Sequence, residues 1–171
     1  MKTKYLMLAV GIMIIAQLFV PISMIVNRFD TLNNGVEYKF KVQPVDPYDA
    51  FRGRYVAIHV DGGKFDSQQN RKVIYAILGT DENGFSYVEK VSEKKPNTNN
   101  YIKAKSRYGR VQLPFERYYM EEKLAPKAEK AYNQDRKDAY IKVRVKNGNT
   151  VIEGLYINDI RIEDYVKRED I

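Results

Sequence analysis

Hydropathy divides the chain into two regimes. From Tyr5 to Val26 no residue is charged and nearly all are apolar, whereas from Val36 onward apolar and polar positions alternate in short bursts separated by turn residues. As a helix rising about 1.5 Å per residue, the first regime would extend roughly 33 Å, enough for a hydrocarbon core of about 30 Å. Gln17 and Pro21 lie inside it, and membrane helices tolerate one polar residue and a proline in the outer third. Lys2 and Lys4 precede the span, and only Arg28 follows it closely, beside Asp30. The positive-inside rule then places the N-terminus in the cytoplasm and the remainder outside. Two readings compete with an anchor: a cleaved signal peptide and a buried helix of a soluble fold. A signal peptide has an apolar region of about 7 to 15 residues ending in a small-x-small site; the run here is longer and lacks an Ala-x-Ala. The expectation is a membrane anchor over residues 1–27 and a short polar tether over 28–35, closing on Asn33-Asn34-Gly35.

Beyond the tether the period is two. Val36, Tyr38, Phe40 and Val42 alternate with Glu37, Lys39, Lys41 and Gln43, the pattern of a half-buried strand. Tyr55 to Val60 alternates likewise, and Lys72 to Gly79 is almost continuously apolar, as in a strand covered on both faces. Asp81-Glu82-Asn83-Gly84 is hairpin chemistry leading into Phe85 to Ser92. Residues 94–100 form a loop of charge, proline and asparagine. Tyr101 to Lys105, the turn Tyr108-Gly109-Arg110 and Val111 to Phe115 follow, with Pro114 restricting the last to an edge or a strand end. Leu124, Ala128, Ala131 and Tyr132 recur at helical spacing, and Pro126 puts the helix start near Ala125. Ala139 to Val145, the Asn147-Gly148 turn and Val151 to Ile157 make the clearest hairpin, with Lys142, Arg144 and Lys146 on one basic, wet side. The expected architecture is α+β: an N-terminal transmembrane helix, then a mainly antiparallel β-rich domain over 36–160, barrel- or sandwich-like with one late helix, and a charged tail over 161–171 that frays.

The stretch from Asp46 to Val60 reads as a capped turn running into a strand. Asp46 suits an N-cap, Pro47 the first helical position, Asp49 the capping-box acid, and Gly53 the left-handed residue that ends the turn. The same residues resemble the GDYXXLXY family, membrane-anchored bacterial proteins of uncharacterised function. Gly53, Tyr55 and Ile58 fit the Gly, Tyr and Leu of that signature, while Arg54 stands at its Asp and Val60 at its final Tyr. Val45-Asp46-Pro47, Arg52, Phe115-Glu116-Arg117-Tyr118-Tyr119 and Asn147-Gly148 extend the likeness over most of residues 36–158. The resemblance implies an anchored domain outside the cytoplasm with no established catalysis.

Composition narrows the chemistry. There are no cysteines, so disulfides and thiolate metal sites are excluded. His59 is the single histidine, brings no companions at zinc-ligand spacing, and sits in an alternating strand as a half-exposed structural residue. No metal set or cofactor motif is present. Asp46 and Asp49 either cap their turn or form a carboxylate pair. Arg52 and Arg54 flank Gly53, where guanidinium forks either clasp a carboxylate or phosphate or pair with the local acids. With Tyr55 they are the ligand- or partner-binding candidates. The formal charge of +7 includes Lys2 and Lys4; the remaining surplus suits anionic lipid or an acidic partner, whereas scattered basic residues without a recognised motif argue against nucleic acid. The sequence therefore points to a non-catalytic binding or accessory module of the bacterial envelope, held in the cytoplasmic membrane, with a multi-span membrane protein or other envelope component as partner. The alternative is an envelope hydrolase or processing enzyme using Asp46, Asp49 or a serine–lysine pair near the Gly53 turn.

Overall fold

A computed structural model describes residues 2–44, 55–65, 72–134 and 138–168 of the chain. Helix α1 spans Lys2–Asn34 and, at 33 residues, is about 50 Å long. Within it Val10–Asn34 is long and apolar enough to cross a membrane, and none of its most apolar window is buried in the protein. A core helix would have been covered. What remains is a membrane anchor or a signal sequence.

The polar segment 28–35 is not an extended tether. The helix runs unbroken through it to Asn34. Its last turn finds partners both local and distant: Thr31 is buried and its Oγ1 donates to Asn27 O at 2.8 Å, while the Asp30 carboxylate accepts from Asn34 Nδ2 at 2.8 Å and, from the far end of the chain, Lys146 Nζ at 2.6 Å. Gly35 ends the helix, its N–H donating to Thr31 O at 2.9 Å. A Cβ there would lie 2.3 Å from Thr31 O and 3.0 Å from Val145 N, so the close approach admits only glycine.

Eleven strands follow among the described residues: β1 (Val36–Lys41), β2 (Gln43–Pro44), β3 (Tyr55–His59), β4 (Val73–Thr80), β5 (Ser86–Ser92), β6 (Tyr101–Arg107), β7 (Arg110–Gln112), β8 (Arg117–Tyr119), β9 (Ala139–Lys146), β10 (Asn149–Ile157) and β11 (Ile160–Arg161). They form three antiparallel sheets ordered β1-β9-β10-β11, β2-β3-β8 and β5-β4-β6-β7. The α+β expectation, with an apolar N-terminal helix ahead of antiparallel strands, holds. Two late helices appear rather than one: α2 (Ala125–Gln134), starting where Pro126 places it, and α3 (Ile162–Arg168).

Helix α3 occupies part of the expected fraying tail. Ile162, Tyr165 and Val166 bury themselves at helical spacing, with Glu163 and Asp164 in the first turn and Lys167 and Arg168 in the last, the polarity that a helix dipole favours. A tight turn at Asn158 and Asp159, both at positive φ (51° and 62°), aims the chain into it; these side chains tolerate the left-handed region better than most. One cluster of buried apolar side chains runs through all three sheets and both late helices, including Phe40, Ile58, Ile74, Ile141, Leu155, Tyr132 and Val166.

The β9–β10 hairpin ties this core to α1 on one side and to β6 on the other. Its two-residue loop, Asn147-Gly148, has both φ angles positive, 53° and 77°, as a primed turn requires. Gly148 O accepts from Lys103 N at 2.9 Å, and a Cβ on Gly148 would sit 2.5 Å from the Tyr101 ring. Gly84 is also at positive φ (79°) but faces open space. Gly84→Ala is therefore expected to cost about 1 kcal/mol for backbone strain alone, and Gly148→Ala at least about 2 kcal/mol because a buried ring must also move. Urea unfolding of the two variants measures the difference; equal losses would show that the tip is not tightly seated.

Candidate functional site

Strand β3 carries the described part of the glycine–tyrosine stretch. Its alternation sends Val56 and Ile58 into the core, at 1% and 2% exposure, and leaves Tyr55, Ala57 and His59 on the outer face. Strand β8 pairs beside it with Tyr55 opposite Tyr119 and Ala57 opposite Arg117, and β2 sets Gln43 opposite His59. The long connection between β3 and β8 thus brings three side chains into one group. The Tyr55 and Tyr119 rings meet edge to face at 5.7 Å, and the Arg117 guanidinium lies 4.8 Å above the Tyr55 ring. Tyr119 keeps 66% of its surface exposed. The result is an aromatic and cationic patch on a short antiparallel strand pair.

The strand's far end opens into a groove of about 250 Å³ lined by His59, Asp61, Arg107, Tyr108, Arg110 and Gln112, among others. One wall is the 61–65 segment, held along β7 by Val111 N donating to Gly63 O at 3.1 Å and Phe65 N donating to Gly109 O at 3.0 Å. Gly62 is needed in that wall, since a Cβ would fall 2.3 Å from Val111 O. The other wall is the β6–β7 hairpin, turned at Tyr108 and Gly109 with φ of 48° and 71°. His59 is exposed at the junction of patch and groove.

Beneath the patch, Tyr118 points the opposite way from its neighbours and is only 5% exposed. Its hydroxyl donates to Glu163 Oε1 at 2.5 Å and accepts from Arg161 Nη2 at 3.3 Å, while Arg161 Nε donates to Glu163 Oε2 at 3.1 Å. Burial, then the Glu163 carboxylate, pushes the Tyr118 phenol up to about 12. These bonds fasten β8 to α3.

Of the residues singled out in the sequence, Tyr55 lies in the patch, as does His59 at its edge. Asp46, Pro47, Asp49, Arg52, Gly53 and Arg54 lie outside the described residues. Ser106 is fully buried on the core side of β6. Among the described residues no three His, Asp or Glu side chains gather into a metal-binding group. Sequence reading overlooked Arg117, Tyr119, Arg107 and Arg110 as site residues. The only local signals were the alternation of Arg117-Tyr118-Tyr119 and two arginines bracketing a Tyr-Gly turn.

A family model described as GDYXXLXY protein matches residues 17–155, from the middle of α1 to the last third of β10. The chain belongs to the GDYXXLXY family. No curated protein and no solved structure matches it significantly. The GDYXXLXY match takes in the second half of the apolar helix and the strands up to β10, and the family's function is uncharacterised.

The Tyr118 network gives the GDYXXLXY chain a defined alkaline response. The unfolded phenol ionises near 10, whereas the folded one holds its proton to about 12. The stabilisation is therefore complete below pH 10 and is lost as pH rises towards 12, by at most roughly 1.4 kcal/mol per unit. Tyr140, also raised by burial and by its bond to Asp159, adds a parallel loss. Tyr118→Phe is expected to lower stability at pH 8 and to flatten the fall above pH 10. Urea midpoints at pH 8, 10 and 11 test this, and an unchanged slope in the variant would remove Tyr118 as a source.

Proposed function

We propose that the chain is a single-pass membrane protein whose β-rich part lies on the extracytoplasmic side of a bacterial cytoplasmic membrane and binds another envelope component without catalysing a reaction. The observation that carries this reading is the junction between α1 and β1. One residue, Gly35, separates helix from strand, and the Asp30–Lys146 pair and buried Thr31 tie the last helical turn to the β9–β10 hairpin. A module joined in this way turns with its helix instead of swinging on a linker. A face held at fixed height and direction loses little orientational freedom on meeting a partner fixed in the same bilayer. That favours a multi-span membrane protein over a freely diffusing ligand.

The patch supplies suitable anchors, because tyrosine and arginine are the side chains that dominate binding energy at protein interfaces. Lys2 and Lys4 ahead of the apolar run support an N-terminus inside. Tagged full-length protein, cross-linked in membranes and purified in mild detergent, is expected to carry a membrane protein with it. Arg117→Ala combined with Tyr119→Ala is expected to lose at least about tenfold of that recovery, the effect of one or two interface hot spots, while remaining in the carbonate-washed membrane. Undiminished recovery would move the interface off this patch. Release by carbonate, or a C-terminal tag facing the cytosol, would overturn the anchor or its orientation.

A further inference from the structure

We propose that the groove at the β6–β7 hairpin is an anion site that takes a phosphomonoester or phosphodiester group. Arg107 and Arg110 are direct partners across the hairpin, separated only by the two turn residues. Directly opposed side chains on one face have Cβ atoms about 5 Å apart, where like charges repel. The turn explains Tyr108 and Gly109 by their positive φ, and Arg107 lies 5.6 Å over the Tyr108 ring, a contact that leaves the N–H edges of its guanidinium open and does not involve Arg110. No ion pair among the described residues engages either guanidinium. Lys105 stands on the same face of β6 two residues earlier and Lys64 pairs with Arg110 through a backbone bridge, so both lysines flank the groove without lining it. Against Arg107 and Arg110, the described lining of the groove holds one carboxylate, Asp61, whose Oδ1 already accepts Gly63 N–H at 2.9 Å.

The geometry selects the ligand class. Two guanidinium forks brought together match an oxyanion with several acceptor oxygens, and arginine binds phosphate through paired N–H bonds. The volume of about 250 Å³ is roughly eight times a water molecule's share of liquid, so a phosphate bearing a short polyol fits where a bare ion would rattle. Both walls are hydrogen-bonded strand segments, which preorganises the site. Its place also matters. Lys103 on β6 bonds the hairpin tip that docks α1, and about 13 Å of strand separates Lys103 from Arg107. The same phosphate chemistry thus has two sources: a lipid headgroup close to the helix end, or a soluble or polymeric phosphoester.

This inference rests on the groove alone and stands or falls apart from the partner proposed above. The test uses the full chain, first in nonionic detergent with glycerol 1-phosphate, then in nanodiscs of phosphatidylcholine with and without phosphatidylglycerol. Backbone amide shifts at residues 59–63 and 107–112 report the site. Saturable shifts with glycerol 1-phosphate, weakened at least tenfold in Arg107→Gln/Arg110→Gln and weakened by added salt, support a soluble phosphoester. Shifts that appear only with phosphatidylglycerol, and vanish in the same variant, support a headgroup. Acetate producing the same shifts at the same concentration would overturn the phosphate class. Absence of shifts with both probes, or equal binding by the double variant with its fold confirmed by an unchanged amide spectrum elsewhere, would overturn the site.

Discussion

With one residue between α1 and β1, the axis of the helix and the direction of the first strand cannot vary independently. Gly35 is packed against Thr31 O and Val145 N, so the chain has no room to re-aim there. Strand β1 then pairs along its whole length with β9, from Val36 opposite Val145 to Lys41 opposite Tyr140. Because β9 and β10 share a two-residue turn, the same constraint passes to β10, and through Gly148 O to β6. The three sheets are consequently positioned from the helix end outward. The half-buried Asp30–Lys146 pair is still open to solvent and adds little by itself; it selects an orientation that the backbone already nearly dictates.

The outer faces handle charge in two different ways. On the first sheet, Glu37 lies within 3.7 Å of Lys142 and 3.2 Å of Arg144, and Arg144 reaches Glu153 at 2.5 Å. Lys41 sits 4.7 Å over Phe85 and Lys142 4.9 Å over Tyr156, while Tyr156 stacks on Tyr140 at 5.3 Å. Cations there rest on carboxylates and rings, each contact adding up to about 1 kcal/mol at exposed sites. Around the β6–β7 hairpin that compensation is thin. The contrast between a face whose cations meet carboxylates and a hairpin where Arg107 meets only the Tyr108 ring locates the groove more firmly than its shape does.

Strands that alternate over five or more residues were legible from pattern alone, because a single period decides which face is buried. The two-residue strands β2 and β11 and the three-residue β8 are too short to show a period. Segment 28–35 looked like a linker since Arg28, Asp30, Asn33 and Asn34 are polar; one partner that seats its last helical turn, Lys146, lies more than a hundred residues away. The charged tail concealed Ile162, Tyr165 and Val166, whose spacing was present but outweighed by composition. The patch was half legible. Tyr55 stood in a recognisable stretch, yet Arg117 and Tyr119 join it only through β3–β8 pairing, and long-range register leaves no local trace.

Consecutive residues of β8 connect the exposed patch to the end of the chain. Arg117 and Tyr119 face outward while Tyr118, between them, reaches into the network of Arg161 and Glu163. Arg161 also reaches Glu153 O at 3.4 Å, so the network clasps β10 as well as α3. A three-residue strand has little pairing of its own to hold it, and its inward side chain is therefore a principal determinant of where its outward ones stand. Whatever meets Arg117 and Tyr119 meets a surface whose position is set from behind by α3. The charged C-terminal stretch, which composition alone marks as fraying, thus becomes the backing of β8, and displacing α3 would shift Tyr119 relative to Tyr55 without touching either residue.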